Sequence, residues 1–175
     1  MTTAKTSTTF TRRSTLIASG LLAMTAALPT RTLAHQDDNP LAGTTIEALS
    51  AGVPSEAPDR TLILMRVTME PGVSIPPHSH PGPVALYVES GIFGTEFFEG
   101  HGTLQPAPVD GTPVPAIEMQ PGDDVQMPAG DHLFYDGAVH TMRNDGEEPL
   151  VLLISALFDP EKPGFMFKDI ATPAS

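Results

Sequence analysis

The chain contains no cysteine. That absence excludes disulfides, thiolate metal ligands and nucleophilic thiols, so any metal must be held by nitrogen and oxygen atoms. No convincing amphipathic helix can be traced. There is no Ser–His–Asp arrangement, no glycine loop of the phosphate-cradling kind and no spaced pair of catalytic carboxylates. Basic residues are scarce, 9 Lys and Arg against 21 Asp and Glu. Four of them (Lys5, Arg12, Arg13 and Arg31) fall in the first 34 residues, which hold no acid, so the remainder carries a net charge of about −16. A surface that anionic repels nucleic acid and anionic membrane, and neither is expected as a partner.

Proline and glycine are what the chain has in quantity, 19 and 15 in 175 residues. At that density they break up long helices and favour short strands joined by turns, the pattern of an all-β domain. The length suits one domain with a real core.

Residues 1–34 read as a signal peptide. A polar, basic start precedes a mildly apolar run from about Leu16 to Leu28, and Thr32-Leu33-Ala34 offers the small–x–small pattern of a cleavage site. The run is too short for a helix spanning ~30 Å of bilayer. Thr11-Arg12-Arg13-Ser14-Thr15-Leu16 resembles the twin-arginine export motif, with Thr15 where phenylalanine is usual. The expectation is export to a periplasmic or extracellular location, with no membrane partner once the signal is removed.

The rest divides into a leader and edge strand (35–59), a barrel (60–158) and a tail (159–175) that packs across the barrel mouth or frays. Arg60 to Met69 is apolar on both faces and reads as a central strand buried on two sides. Leu133–Tyr135 and Val139–Arg143 read as paired strands around an Asp136-Gly137 hairpin turn. Leu150 to Phe158, the most apolar run of the mature chain, should be a core strand. About nine or ten strands are expected, in a sandwich or small barrel.

Within this frame His78-Ser79-His80 places two imidazoles on one face of a strand, since residues two apart point the same way. Two convergent imidazoles are half of a transition-metal site. With Gly72 before the pair and Gly91 after it, the segment resembles the first motif of the cupin family. Gly122, Pro128 and Gly130, followed by His140 and Asn144, resemble the second. The resemblance spans about residues 60–158 and implies a cupin-type antiparallel β-barrel, a jelly-roll-like double-stranded β-helix.

Two departures stand out. Nine residues rather than two separate Gly130 from the second-motif histidine, so the Asp136-Gly137 hairpin reads as an insertion. His132 is the rival third ligand; His140 is preferred because Asn144-Asp145-Gly146 follows it in the family's turn-then-strand manner. The motif glutamate should fall at Val84 or Ala85, and neither can bind a metal.

The set implied by the resemblance is therefore His78, His80 and His140, holding one divalent transition metal: Fe, Zn, Ni or Cu. Among cupins the pattern resembles three-His iron dioxygenases acting on thiols and diketones. The expected function is an exported metal-binding cupin, a metal-dependent oxygenase of a small organic molecule. The alternative is a non-catalytic small-ligand-binding or sensing barrel with a structural metal or none. Tyr135, Phe97 and an inward Arg66 are the substrate-binding candidates, an outward ion pair being the other reading of Arg66. Glu96, Tyr135 or His132 are candidates for acid–base roles. A homodimer is implied by the resemblance.

Overall fold

A computed structural model describes residues 39–170; the signal-peptide reading lies outside them, as do residues 171–175. Among the described residues there is no helix, and twelve strands form two antiparallel sheets. In chain order they are β1 (Thr44–Gly52), β2 (Thr61–Met69), β3 (Ser74–Ser79), β4 (Val84–Ser90), β5 (Ile92–Glu99), β6 (Gly102–Gln105), β7 (Ile117–Met119), β8 (Asp124–Pro128), β9 (His132–Tyr135), β10 (Val139–Asn144), β11 (Leu150–Phe158) and β12 (Met166–Phe167). The larger sheet runs β1-β2-β11-β4-β9-β6-β7 and the smaller β12-β3-β10-β5-β8. This is the all-β, antiparallel two-sheet barrel that the turn-rich sequence predicts.

The alternation of β11 shows how sequence sets the layers. Leu150, Leu152, Ile154, Ala156 and Phe158 are buried, while the residues between them are half-buried. The inner side chains meet Phe93, Phe97, Met127 and Met142 in a single core. Burial of each large side chain contributes roughly 1.5–3 kcal/mol. Strand β2 does not follow the two-sided reading. It lies between β1 and β11, but its outer face is open, with Leu62 47% and Leu64 41% exposed. In a two-layer antiparallel fold only one face of each sheet packs.

The predicted hairpin is also corrected. Strand β9 pairs with β4 and β6, whereas β10 pairs with β3 and β5. At Asp136-Gly137 the chain therefore crosses from one sheet to the other. The insertion after Gly130 is the strand that joins β4 to β6, and both its inward residues, Leu133 and Tyr135, enter the core.

The motif glycines fall in the turns that separate these strands. Gly91 has φ +86°, and a Cβ there would lie 2.9 Å from the Leu150 Cα, so no side chain fits between the β4–β5 turn and the start of β11. Gly72, Gly122 and Gly130 occupy turns before β3, before β8 and after β8, and Pro128 pairs with Ile92 at the end of β8. Asn144 closes β10. Its amide donates to the carbonyls of Met69 and Glu148 at 3.0 and 2.8 Å, and its oxygen accepts from the Gly146 N–H at 3.0 Å. Asn144 is itself 3% exposed, and its bond to Met69 is buried. Asn144→Ala would leave the buried Met69 carbonyl short of a donor and undo the turn bonds to Glu148 and Gly146, and should lower stability by roughly 2–3 kcal/mol. Urea unfolding measures this, and a loss under about 1 kcal/mol would refute the role.

Candidate metal centre

The sheets deliver the three histidines through irregularities in pairing. His140 lies opposite His78, but Met142 lies opposite Ile75, so β3 carries one extra residue over that interval. The Pro76-Pro77 step absorbs it; proline has no N–H to give the ladder and is tolerated at such bulges. The bulge turns both Ile75 and His78 inward, where strict alternation would have opposed them. A second shift lies on β5, where Val139 faces Glu99 and His140 faces Phe97. His78 and His140 end fully buried and His80 half-buried.

The ring centroids are 4.6 Å apart for His78–His140, 4.9 Å for His78–His80 and 5.5 Å for His80–His140. One nitrogen from each ring lies within 4.8 Å of the others. The opposite nitrogens are committed to the backbone. His78 Nδ1 donates to the Pro76 carbonyl at 2.7 Å, His80 Nδ1 to Gly164 at 2.7 Å and His140 Nδ1 to Thr141 at 3.0 Å. A carbonyl only accepts, so each Nδ1 must carry the proton and each Nε2 presents a lone pair. Thr95 donates to the same Thr141 carbonyl at 2.8 Å and stands 3.4 Å from His140 Nδ1. The Nε2 atoms of His78 and His140 are buried without a hydrogen-bond partner. Orphaned acceptors that converge are the donor set of an imidazole-held transition metal, and the backbone bonds fix the tautomer such a metal requires.

Burial sets the electrostatics. It pulls the His78 pKa down to about 4, against which the Pro76 carbonyl pulls upward, with His80 lowering it further. Burial also lowers His80, and it holds His140 well below the ordinary imidazole value, helped by His78 and His80. Burial pushes the Tyr135 phenol upward, so it stays protonated.

Beside His80 is a cavity of about 30 Å³, room for about two water molecules. Met65, Val67, Val84, Met142 and Ile154 form its apolar wall, Phe158 and Phe165 close it, and Tyr135 reaches it. Of the two candidates for the motif-glutamate position, Val84 faces the cavity as an apolar side chain and Ala85 is exposed. Tyr135 packs against His140 with centroids 4.6 Å apart, inside the barrel.

The other proposed residues are elsewhere. Phe97 is wholly buried behind His140 and does not line the cavity. Arg66 points outward, between Glu47 at 3.6 Å and Glu89 at 3.4 Å, because it sits out of phase with inward Val67. His132 is exposed on the outer face, paired with Tyr87 and Gln105, and is not in the imidazole cluster. Glu96 alternates with inward Thr95 and Phe97 and so faces away from the site. Sequence reasoning missed Thr95, Phe158, Gly164 and Phe165. Only the Phe165-Met166-Phe167 alternation in an otherwise polar tail hinted at the last of these.

Two outcomes follow from this geometry. His78→Ala or His140→Ala should abolish binding of Zn(II) or Co(II) measured by calorimetry, while His132→Ala binds as wild type. For the metal-free protein, His78 stays neutral when folded down to about pH 4 but takes a proton near 6.5 when unfolded. Its contribution is therefore present above pH 6.5 and is lost as pH falls toward 4, up to roughly 3 kcal/mol. Denaturation midpoints between pH 7 and 4.5 should fall less steeply for His78→Gln than for wild type.

Residues 65–156 match the family model described as the cupin domain. No curated protein sequence matches the chain. Among solved structures, an oxalate oxidase aligns at 19% identity and a TM-score of 0.39, over 74% of this chain and 57% of that one. DMSP lyase DddQ from Ruegeria pomeroyi DSS-3 aligns at 21% and 0.40, over 71% and 51%. Oxalate decarboxylase from Bacillus subtilis aligns at 23% and 0.45, over 69% and 28%. The chain thus spans about half or less of the length of most of these proteins, and likenesses so distant do not extend to substrate or activity. The family match covers more than half of the chain and includes all three histidines, two on strands β3 and β10 and His80 just past the end of β3, and the chain belongs to the cupin family.

Proposed function

We propose that this chain is an exported metalloprotein whose His78, His80 and His140 hold one divalent transition metal, and that it oxygenates a small organic molecule. The observation that carries the reading is the commitment of all three Nδ1–H groups to backbone carbonyls, leaving convergent Nε2 lone pairs. Three neutral imidazoles suit Fe, Zn, Ni or Cu and leave open positions on the ion. A bound metal would supply Lewis acidity and, for Fe or Cu, redox chemistry.

The cavity lining supports one substrate class. No basic side chain faces the cavity, and its wall is apolar apart from His80 and Tyr135. A substrate carboxylate would be desolvated there with no arginine to receive it, so an uncharged, largely apolar small molecule fits best. The protonated Tyr135 phenol is the polar group placed to donate to it. Export is supported by Arg12-Arg13, the short apolar run and Thr32-Leu33-Ala34. Pairing of two copies is supported by the outer face of the larger sheet, where Leu64, Tyr87 and Phe134 are exposed together.

A second reading, a binding or sensing barrel without catalysis, is favoured by one observation. The acid–base candidates Glu96 and His132 both face away from the imidazoles. Metal analysis of protein exported by its native route, followed by oxygen-electrode assays with a panel of uncharged small molecules, separates the two. The oxygenase reading expects close to one Fe or Cu per chain and oxygen uptake lost in His140→Ala. Zinc with no uptake supports the binding barrel, and protein that neither carries nor takes up metal refutes the site.

A further inference from the structure

After β11 the chain does not leave the barrel. The Asp159 N–H donates to the Pro81 carbonyl at 3.1 Å, and after a turn closed by Lys162 and Asp159 the Lys168 N–H donates to Pro77 at 2.9 Å. Strand β12 between these anchors pairs with β3 beside the histidines themselves, Met166 opposite Ser79 and Phe167 opposite His78. Residues 164–167 are thus a strap pinned at both ends across the imidazole cluster.

Two contacts of the strap bear on the site. The Gly164 carbonyl is the acceptor for His80 Nδ1 at 2.7 Å, the one ring bond of the three that comes from a distant segment. The Phe165 ring lies 5.0 Å from that of His78 and edge-on to His80 at 5.2 Å, and it closes a cavity with room for about two waters. Gly164 itself has no positive φ, and an added Cβ would meet nothing within 4 Å. What the site uses there is the carbonyl, not the absence of a side chain.

We infer that the strap is a positioning and specificity element: the Gly164 carbonyl sets the tautomer and aim of His80, and the Phe165 ring limits the site to ligands of a few atoms unless the strap moves. The inference rests on the metal reading of the three histidines. It implies that metal occupancy and strap closure are linked, because a ligand held by His80 favours the state in which Gly164 holds it, and such linkage is reciprocal.

The test uses the full mature chain loaded with Co(II), read by its visible absorption. Azide and imidazole are the probes, three atoms in a line and a five-membered ring. Wild type should respond to azide and bind imidazole weakly. Phe165→Ala should bind imidazole more tightly by about tenfold or more while azide affinity changes by less than about threefold. Phe165→Leu should restore part of the discrimination, and Gly164→Ala should behave as wild type. Equal imidazole affinity in wild type and Phe165→Ala overturns the specificity role. Independently of any variant, Co(II) should slow amide hydrogen exchange across residues 164–168 and leave the β1 edge, 44–52, unchanged. Exchange in the strap indifferent to Co(II) overturns the positioning role. Wild type that takes up no Co(II) is a distinct result, which removes the metal reading and this inference together.

Discussion

Three ring N–H groups are each given to a backbone carbonyl where water scarcely reaches, and the rest of the site follows from that commitment. Once Pro76, Gly164 and Thr141 have accepted those protons, the opposite nitrogens must face one another as bare acceptors. A buried acceptor without a donor costs about 1–3 kcal/mol, and protonating it to remove the problem costs more in so dry a place. The fold cannot relax the strain locally. His78 is held by a proline-bearing bulge on β3 and His140 by the register shift against β5, and those strands are locked by pairing along the sheet. The arrangement is one that a cation at the convergence point stabilises, and that an empty, neutral barrel would have reason to fill with apolar side chains.

Much of this was legible in the chain. The His78–His80 spacing, the bracketing glycines and the His140–Asn144 pair depend on strand period and turn geometry, which are local properties. Asn144 illustrates the limit of that legibility. Its place after β10 could be read, but the Met69 carbonyl it satisfies lies 75 residues away. His132 and His140 could be ranked but not separated by sequence, because the difference is one of facing: His132 is on a strand of the larger sheet and turns outward, His140 on the smaller sheet and turns inward.

The misread hairpin has a plain cause. The Asp136-Gly137 turn has the composition of a hairpin, and a turn sequence fixes the local bend but not which partners the flanking strands choose. Strand β4 offered an unpaired edge and β9 took it. The tail takes the first of its two expected courses, packing against the barrel. Which of its residues meet the histidines was not legible, because Gly164 and Phe165 touch residues some 84 positions earlier, a contact that no window of sequence contains.

The absent carboxylate gives the chemistry its direction. The family motif would put its glutamate at Val84 or Ala85, and of these Val84 faces the cavity beside His80. A glutamate there would neutralise part of a divalent charge and offer a base next to the bound ligand. Valine does neither, and among the described residues no other carboxylate joins the imidazole cluster: Glu89 is engaged with Arg66 outside and Glu96 faces away. A cation among the three imidazoles would keep its full charge in an apolar surround, where its pull on a bound molecule is less screened than in water. The Tyr135 phenol, kept protonated by burial, can donate but not abstract. With a metal bound, such a site would polarise what binds and supply no internal base, so on the oxygenase reading a substrate would either arrive with an acidic proton already labile or react without losing one. On the strap inference, that set would narrow further, to molecules small enough to lie against Phe165.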